Sequence, residues 1–139
     1  MATTNFDDLA AATFTGNVAG NVTGDLTGNQ VGQHRHSTQT LTATGAITLT
    51  SGLTLLSHAT VIIAATLAAP SAGAELYIVN SSASGTAAHT VTLPAGVTWD
   101  ATNNTATLNA PGETLHVIAL SATRWLILEN IGAVGLSTV

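Results

Sequence analysis

The sequence predicts an all-β protein in which an N-terminal arm and an extended glycine repeat precede an antiparallel, jelly-roll-like β-sandwich or barrel. Three observations predict this class. Residues 16–32 repeat with a period of four, which is two strand periods. The remainder alternates short apolar runs with turn residues at close spacing. The chain is also rich in Ala, Thr, Leu, Val and Gly, and no long stretch places apolar residues at helical spacing.

Residues 1–15 form the predicted arm. Asn5 can cap a short helix that begins at Phe6, with acidic side chains in its first turn. Phe6, Leu9 and Phe14 are the large apolar residues of the arm, and aromatic anchors on a terminal arm can dock on another protein. The alternative is that these side chains fold back onto the core of the same chain.

The glycine repeat has four blocks that each begin with glycine, starting at Gly16, and it closes on Gly32. In an extended chain alternate residues face opposite sides, so Val18, Val22 and Leu26 form one thin apolar stripe. A lone strand cannot bury such a stripe, whereas identical chains around a common axis can. The stripe therefore predicts an oligomer with these three residues in its interface. A flexible linker is the alternative.

Residues 34–39 are interpreted as a polar joint that completes an N-terminal region of residues 1–39. His34 and His36 project to the same side of an extended chain, so a threefold assembly would bring six imidazoles together near its axis. Such a cluster could bind a transition metal. The alternative is a solvated joint without metal, and no other cofactor is expected.

Residues 40–139 are interpreted as one sheet domain of eight or nine short strands. Turn residues at Ser51-Gly52 end the first alternating run. Trp99 and Trp125 are expected to fill the core or a subunit interface, and Trp125 is assigned to the oligomer interface with the repeat stripe. The later predicted strands are Val61–Leu67, Glu75–Asn80, His89–Leu93, Val97–Asp100, Thr105–Asn109, Glu113–Leu120 and Arg124–Asn130.

The composition excludes several classes of function. Only 6% of the 139 residues are charged, the net charge is -5, and Arg35 and Arg124 are the only Lys or Arg residues. Nucleic-acid binding is excluded, and binding to an anionic membrane is disfavoured, because both need clustered basic side chains. The longest apolar run is far shorter than the roughly 20 residues of a membrane span. The sequence is therefore expected to be that of a soluble protein without a cleaved leader.

Candidate chemistry is sparse. The chain has no cysteine and no Gly-x-Ser-x-Gly nucleophile motif, and its acidic residues are scattered. His58, His89 and His116 lie in strand-like stretches and are interpreted as satisfied histidines at sheet faces. The protein is not expected to be an enzyme, and a glycan-cleaving activity is the least favoured alternative.

The repeat beginning Gly16-Asn-Val-Ala-Gly-Asn-Val-Thr resembles repeats in structural proteins of tailed-phage virions, including fibres and capsid decoration proteins. The stretches Leu93–Asp100, Ala110–Glu113 and Arg124–Asn130 are similar to that group as well. The resemblance implies a homotrimeric, mostly β virion component without catalytic residues. Similar trimeric fibres sometimes hold iron through His-x-His residues on the axis.

The resulting prediction is a capsid decoration (cement) protein. As a homotrimer on the outer surface of the phage head, it would bind the major capsid protein and stabilise contacts between capsid subunits. Phe6, Leu9 and Phe14 are the predicted capsid contacts. The alternative is a short tail fibre or receptor-binding module that recognises a host surface glycan, with Tyr77, Trp99 and Trp125 as its candidate platform.

Overall fold

A computed structural model describes residues 35–139 of the chain. Residues 34–139 form one compact unit. The described residues form ten strands and no helix. The strands are β1 (Thr38–Leu41), β2 (Gly45–Ile47), β3 (Leu53–Leu56), β4 (Ala64–Leu67), β5 (Glu75–Asn80), β6 (His89–Thr92), β7 (Thr105–Leu108), β8 (Thr114–Ser121), β9 (Arg124–Ile131) and β10 (Gly135–Ser137).

Two five-stranded sheets contain all ten strands, in the orders β1-β3-β5-β8-β9 and β10-β7-β6-β4-β2. The first six strands alternate between the sheets, so that β1 and β2, β3 and β4, and β5 and β6 make three successive turns of a two-sheet solenoid. Between two successive strands of one sheet, the chain crosses to the other sheet and back. The successive strands of one sheet therefore run in the same direction. The β1–β3, β3–β5, β2–β4 and β4–β6 pairs are accordingly parallel.

The all-β prediction is confirmed, but the expected antiparallel pairing is wrong for the pairs that the first six strands make with one another. Turn residues such as Ser51-Gly52 mark a change of direction without showing whether the next strand pairs with its predecessor or crosses to the opposite sheet. Every antiparallel pair involves one of the last four strands: β8 and β9 extend the first sheet from β5, and β7 and β10 extend the second from β6. Both sheets are therefore mixed.

The core lies between the two sheets, where alternate residues of each strand point inward. Leu56, Ile78, Leu115 and Val117 supply the first sheet's inner face, and small residues such as Ala65 and Ala106 on the second sheet are also fully buried. Burial at this density favours the fold at roughly 25 cal/mol per Å² of apolar area removed from water. The inner faces thus account for the stability of the unit.

The structure places both tryptophans in this core rather than at its surface. Trp99, in the loop after β6, and Trp125, on β9, have 0% of their surface exposed. The Trp125 backbone N–H donates to the Thr98 carbonyl at 2.9 Å, which ties the loop to the strand. Of the two roles considered for Trp125, the structure therefore shows core packing, and its side chain offers no surface to a partner.

The first turn of the solenoid ends in a polar cap. The Gln39 side chain donates from Nε2 to the Ala46 carbonyl at 2.9 Å and accepts the Thr48 backbone N–H at 2.9 Å. One side-chain amide thereby supplies the donor and acceptor that a neighbouring strand would give to β2. Because Gln39 belongs to β1, it also joins the two sheets at this end.

Crossing loops close one end of the unit. Gly85, in the loop between β5 and β6, has a φ of +116°. A Cβ at this position would lie 1.9 Å from the Ala59 carbonyl oxygen in the loop between β3 and β4. Only glycine fits there, because both the backbone conformation and the close approach exclude a side chain.

Candidate functional site

The outward sides of the two sheets are the surfaces on which a function can be built, because the inward sides form the core. Cross-strand registers define which residues share an outward side. In the first sheet Leu53, Tyr77, His116 and Glu129 lie in one row across β3, β5, β8 and β9. In the second sheet a row of threonines crosses β4, β6 and β7: Thr66, Thr92 and Thr105.

The outward side of the first sheet is rich in large apolar residues, and we call it the apolar face. Its central members are half-buried, as is Leu126 on the edge strand β9. Two further members on β9 are more exposed, with Leu128 at 46% and Ile131 at 55%. An outward sheet surface facing water is normally polar. The apolar face consists of Leu53, Leu55, Tyr77, Val79, Ile118, Leu126, Leu128 and Ile131.

The outward side of the second sheet carries small residues, and we call it the threonine face. None of its members is charged or larger than threonine. It therefore lacks the large apolar side chains of the apolar face, and one of its members, Thr105, is buried at 5% exposure. The threonine face consists of Ala46, Ala64, Thr66, Thr90, Thr92, Thr105, Thr107, Gly135 and Ser137.

A stack of rings stands at the centre of the apolar face. The Tyr77 and His116 rings are parallel to within 10°, with centroids 4.0 Å apart, and the centroid of the His36 ring, tilted by 53°, lies 5.5 Å from that of Tyr77. Glu75 Oε1 is 2.6 Å from His116 Nε2, and Glu129 Oε2 is 3.9 Å from His116 Nδ1. The His116 ring is thus held by a stack and by carboxylates on two neighbouring strands.

His36 is seated against backbone that only glycine leaves open. A Cβ on Gly52 would lie 2.2 Å from the His36 ring nitrogen Nδ1. His34 lies outside the described residues, so the proposed pairing of these two histidines stays a prediction. Within residues 35–139, no group of three or more His, Cys, Asp or Glu side chains is placed to hold a metal ion.

A buried polar cluster lies at the start of β6. His89 has 0% exposure; its Nδ1 accepts the Ile63 backbone N–H at 3.1 Å, and its Nε2 lies 3.3 Å from Ser82 Oγ. Since Nδ1 accepts, the ring proton is on Nε2, which donates to the serine. Ser82 Oγ in turn donates to the His58 carbonyl at 3.1 Å.

This serine–histidine contact does not make a nucleophilic pair. A general base must accept the hydroxyl proton at Nε2, but here Nε2 already carries a proton because the Ile63 N–H occupies Nδ1. Burial lowers the pKa of His89, and the hydrogen bond with the His58 backbone opposes this effect. The cluster satisfies buried polar groups where loops meet, as the interpretation of His89 as a satisfied histidine predicted.

An apolar groove of about 340 Å³ crosses the ends of β2, β4 and β6. Leu67, Leu93 and Pro94 are among its lining residues, and no charged side chain lines it. It offers no charged group that would orient a ligand.

Several predicted site residues lie outside the described residues. These are the repeat stripe Val18, Val22 and Leu26 and the predicted capsid contacts Phe6, Leu9 and Phe14. Sequence reasoning missed the apolar face. Its signal was present in Leu53–Leu56 and Arg124–Ile131, where apolar residues occupy consecutive positions instead of alternating ones.

In the part of the chain that the structure describes, no helix is long and apolar enough to span a membrane. Comparisons with protein-family models, with curated proteins and with solved structures found no match to the chain.

Proposed function

We propose that this protein is a capsid decoration protein, which binds as a homotrimer to the outer surface of a tailed-phage head. The observation that carries the proposal is the glycine repeat of residues 16–32 immediately before a compact all-β unit. That combination resembles virion proteins of this class. The low charge of the chain, 6% of residues, supports an assembly in which much surface is covered by other subunits.

The proposed mechanism is mechanical. The arm and repeat anchor the trimer, with Phe6, Leu9 and Phe14 as contacts to the major capsid protein, and the sheet domain forms the outer knob. Each bound trimer adds contact area between neighbouring capsid subunits. A stable protein–protein contact buries roughly 1,200–2,000 Å² in total, so saturation with trimers raises the resistance of the head to internal pressure.

The glycan-binding alternative needs an aromatic platform that faces outward. Trp99 and Trp125 are fully buried, which leaves Tyr77 from the candidate set, and its ring is stacked on His116. No feature of the described residues favours this function over decoration.

The test uses phage heads that lack the protein, prepared from a strain in which its gene is deleted. Purified full-length protein should bind these heads with a saturable stoichiometry in multiples of three and raise their disruption temperature. Binding is measured by co-sedimentation and stability by a thermal release assay for DNA. Failure of the protein to bind at micromolar concentrations would overturn the proposal.

A matched pair of arm variants tests the predicted anchors. Phe6→Ala/Phe14→Ala should weaken head binding by at least about 100-fold, because aromatic anchors dominate contact energies. Thr3→Ala/Thr4→Ala changes the same arm without removing an apolar anchor and should bind as the unchanged protein does. Equal binding by both variants would show that the arm is not the capsid contact.

A further inference from the structure

We propose that residues 134–139 form an exchangeable strap, whose place beside β7 is taken by the same segment of a second copy of this chain. The strap contains β10 (Gly135–Ser137), which lies at the edge of the second sheet and pairs with β7. The occupant is therefore a defined strand of this chain. The inference goes beyond the proposed decoration function and does not rest on it.

The first step concerns the connector between β9 and β10. Residues 132–134 carry the chain from the first sheet to the second, and Gly132 and Ala133 have φ angles of +85° and +65°. A left-handed conformation is unfavourable for alanine, because its Cβ approaches the following carbonyl oxygen. Short hinge loops under strain favour exchange of the segment that follows them. The closed strap therefore keeps strain that an extended connector releases.

The second step concerns how the strap is held. Val134 is buried in the core at 4% exposure, and the half-buried Leu136 packs against the same core. Three residue pairs join β10 to β7. The Asn130 side chain accepts the Val134 N–H at 2.8 Å, and the Val139 N–H donates to Asn104 Oδ1 at 3.0 Å. A short edge strand with few buried apolar contacts opens more readily than the central strands of its sheet.

The third step identifies the occupant. Departure of the strap uncovers the part of the core that Val134 and Leu136 occupy, beside an edge of β7 with a fixed register. The same segment of a second copy reproduces both the core contacts and the strand pairs, which is why identical chains exchange such elements readily. An extended connector of three residues spans roughly 10 Å. The exchanging copies therefore lie in direct contact.

Disulfide trapping tests the exchange, because the chain has no cysteine of its own. A Cβ on Gly135 would lie 3.9 Å from the Thr107 Cβ, which is a separation that a disulfide spans. Full-length Gly135→Cys is mixed with full-length Thr107→Cys and treated with oxidised glutathione. Exchange brings the two thiols together on different copies. We therefore expect a covalent heterodimer, identified by its intact mass.

The matched control mixes Thr107→Cys with Thr90→Cys. Thr90 lies opposite Thr107 on β6, which is a central strand of the sheet. The strap mixture should give at least about 10-fold more heterodimer than the control mixture, because a central strand opens far less readily than an edge strand. Equal yields would overturn the exchange.

A chain that carries both Gly135→Cys and Thr107→Cys tests whether the substituted chains keep the observed register. Oxidised in dilute solution, it should close a disulfide within one chain, which peptide mapping detects. Failure to close would overturn the register on which the inference depends.

A second pair of variants tests the connector. Ala133→Gly, added to both chains of the strap mixture, removes the strain and should lower the heterodimer yield about fivefold. Ala95→Gly is the control, because Ala95 is an exposed loop residue without a positive φ, and it should change the yield by less than about twofold. Equal yields with these two substitutions would overturn the assignment of the connector as the strained hinge.

The outcomes separate this inference from the proposed function, since phage heads are absent from the mixtures. A chain that binds heads but gives no more heterodimer than the control would overturn the exchange and leave decoration standing. A chain that exchanges its strap but does not bind heads would support the inference and overturn decoration.

Discussion

The outward sides of the two sheets differ far more than their inward sides. Inside, both sheets bury apolar residues, with Ile78 and Leu115 on one side and Val91 and Leu108 on the other all at 0% exposure. Outside, the first sheet carries leucine, isoleucine and stacked rings, and the second carries threonine and alanine. Folding of one chain requires only the inward sides. The outward difference is therefore not needed to build the core of one chain.

The largest expected effect tests whether the inward side alone holds the protomer together. Trp125→Ala should lower the free energy of unfolding by about 3–5 kcal/mol, because it leaves a large cavity in the core. Leu128→Ala, on the same strand but 46% exposed, should lower it by less than about 1 kcal/mol. Urea denaturation followed by circular dichroism measures both. Similar losses in the two variants would contradict the division into an inward side that stabilises the protomer and an outward side that contributes little.

The next effect concerns the loops that connect the two sheets. Gly85→Ala should lower the free energy of unfolding by about 2–4 kcal/mol, since a Cβ collides with the Ala59 carbonyl in addition to the strain of a positive φ. Gly96→Ala is the control: its φ is +79° but nothing lies within 4 Å, so it should lose only about 1 kcal/mol. Thermal unfolding measures the difference. Equal losses would show that the loops do not cross tightly.

A smaller effect depends on pH and belongs to the second sheet, through His89 on β6. Because burial lowers its pKa, the unfolded chain takes up a proton more readily than the folded one below about pH 6.5. The free energy of unfolding that the lowered pKa of His89 contributes is fully present above pH 6.5. It is lost as the pH falls towards the pKa of His89 in the folded protein, by at most about 1.4 kcal/mol per pH unit.

Urea denaturation between pH 8 and pH 5 measures that slope. His89→Gln removes the titrating group and should flatten the slope, whatever its effect at pH 8. Asp100 contributes in a separate window, because the hydrogen bond from the Asn103 backbone lowers its pKa and its contribution is lost only below about pH 4. An unchanged slope in His89→Gln would mean that His89 is not the group responsible.

The smallest effect compares single positions on the two outward sides. His116→Ala removes the stack on Tyr77 and the contact with Glu75, and should lower protomer stability by about 0.5–1.5 kcal/mol. Thr107→Ala on the threonine face should change it by less than about 0.5 kcal/mol. Both are measured by urea denaturation at a protein concentration low enough to keep the protein monomeric. If Thr107→Ala lowered the free energy of unfolding more than His116→Ala does, the threonine face would contribute more to protomer stability than the apolar face, contrary to this prediction.

Much of the later half of the fold could be predicted from the sequence. The predicted strand Glu75–Asn80 matches β5, and predicted starts at His89, Thr105 and Arg124 match β6, β7 and β9. These strands are bounded by Pro-Gly or Asn-rich turns and show strong apolar character. Val97–Asp100 was wrong as a strand, since only Thr98 makes a bridge, to Arg124. Trp99 there fills the core from a loop.

The earlier half was harder to predict. β3 was missed, because Leu53–Leu56 contains three leucines without alternation, and β1 and β2 were treated as one run. Of the candidate site residues, Trp125 could be placed in the core only after burial was known, since a tryptophan suits a core and an interface equally well. The apolar face could not be predicted from the sequence. Its members come from four strands, and no local sequence pattern indicates the register in which those strands pair.

The sequence by itself determined the all-β class, most of the strand positions after Glu75 and the four-residue glycine repeat, because these depend on local periodicity and turn chemistry. The tertiary structure decided that the first six strands wind as a solenoid, that both tryptophans are internal and that one sheet is apolar on both sides. Those features depend on which strands become neighbours, and strand pairing is settled by long-range burial rather than by the residues next to each other in the chain.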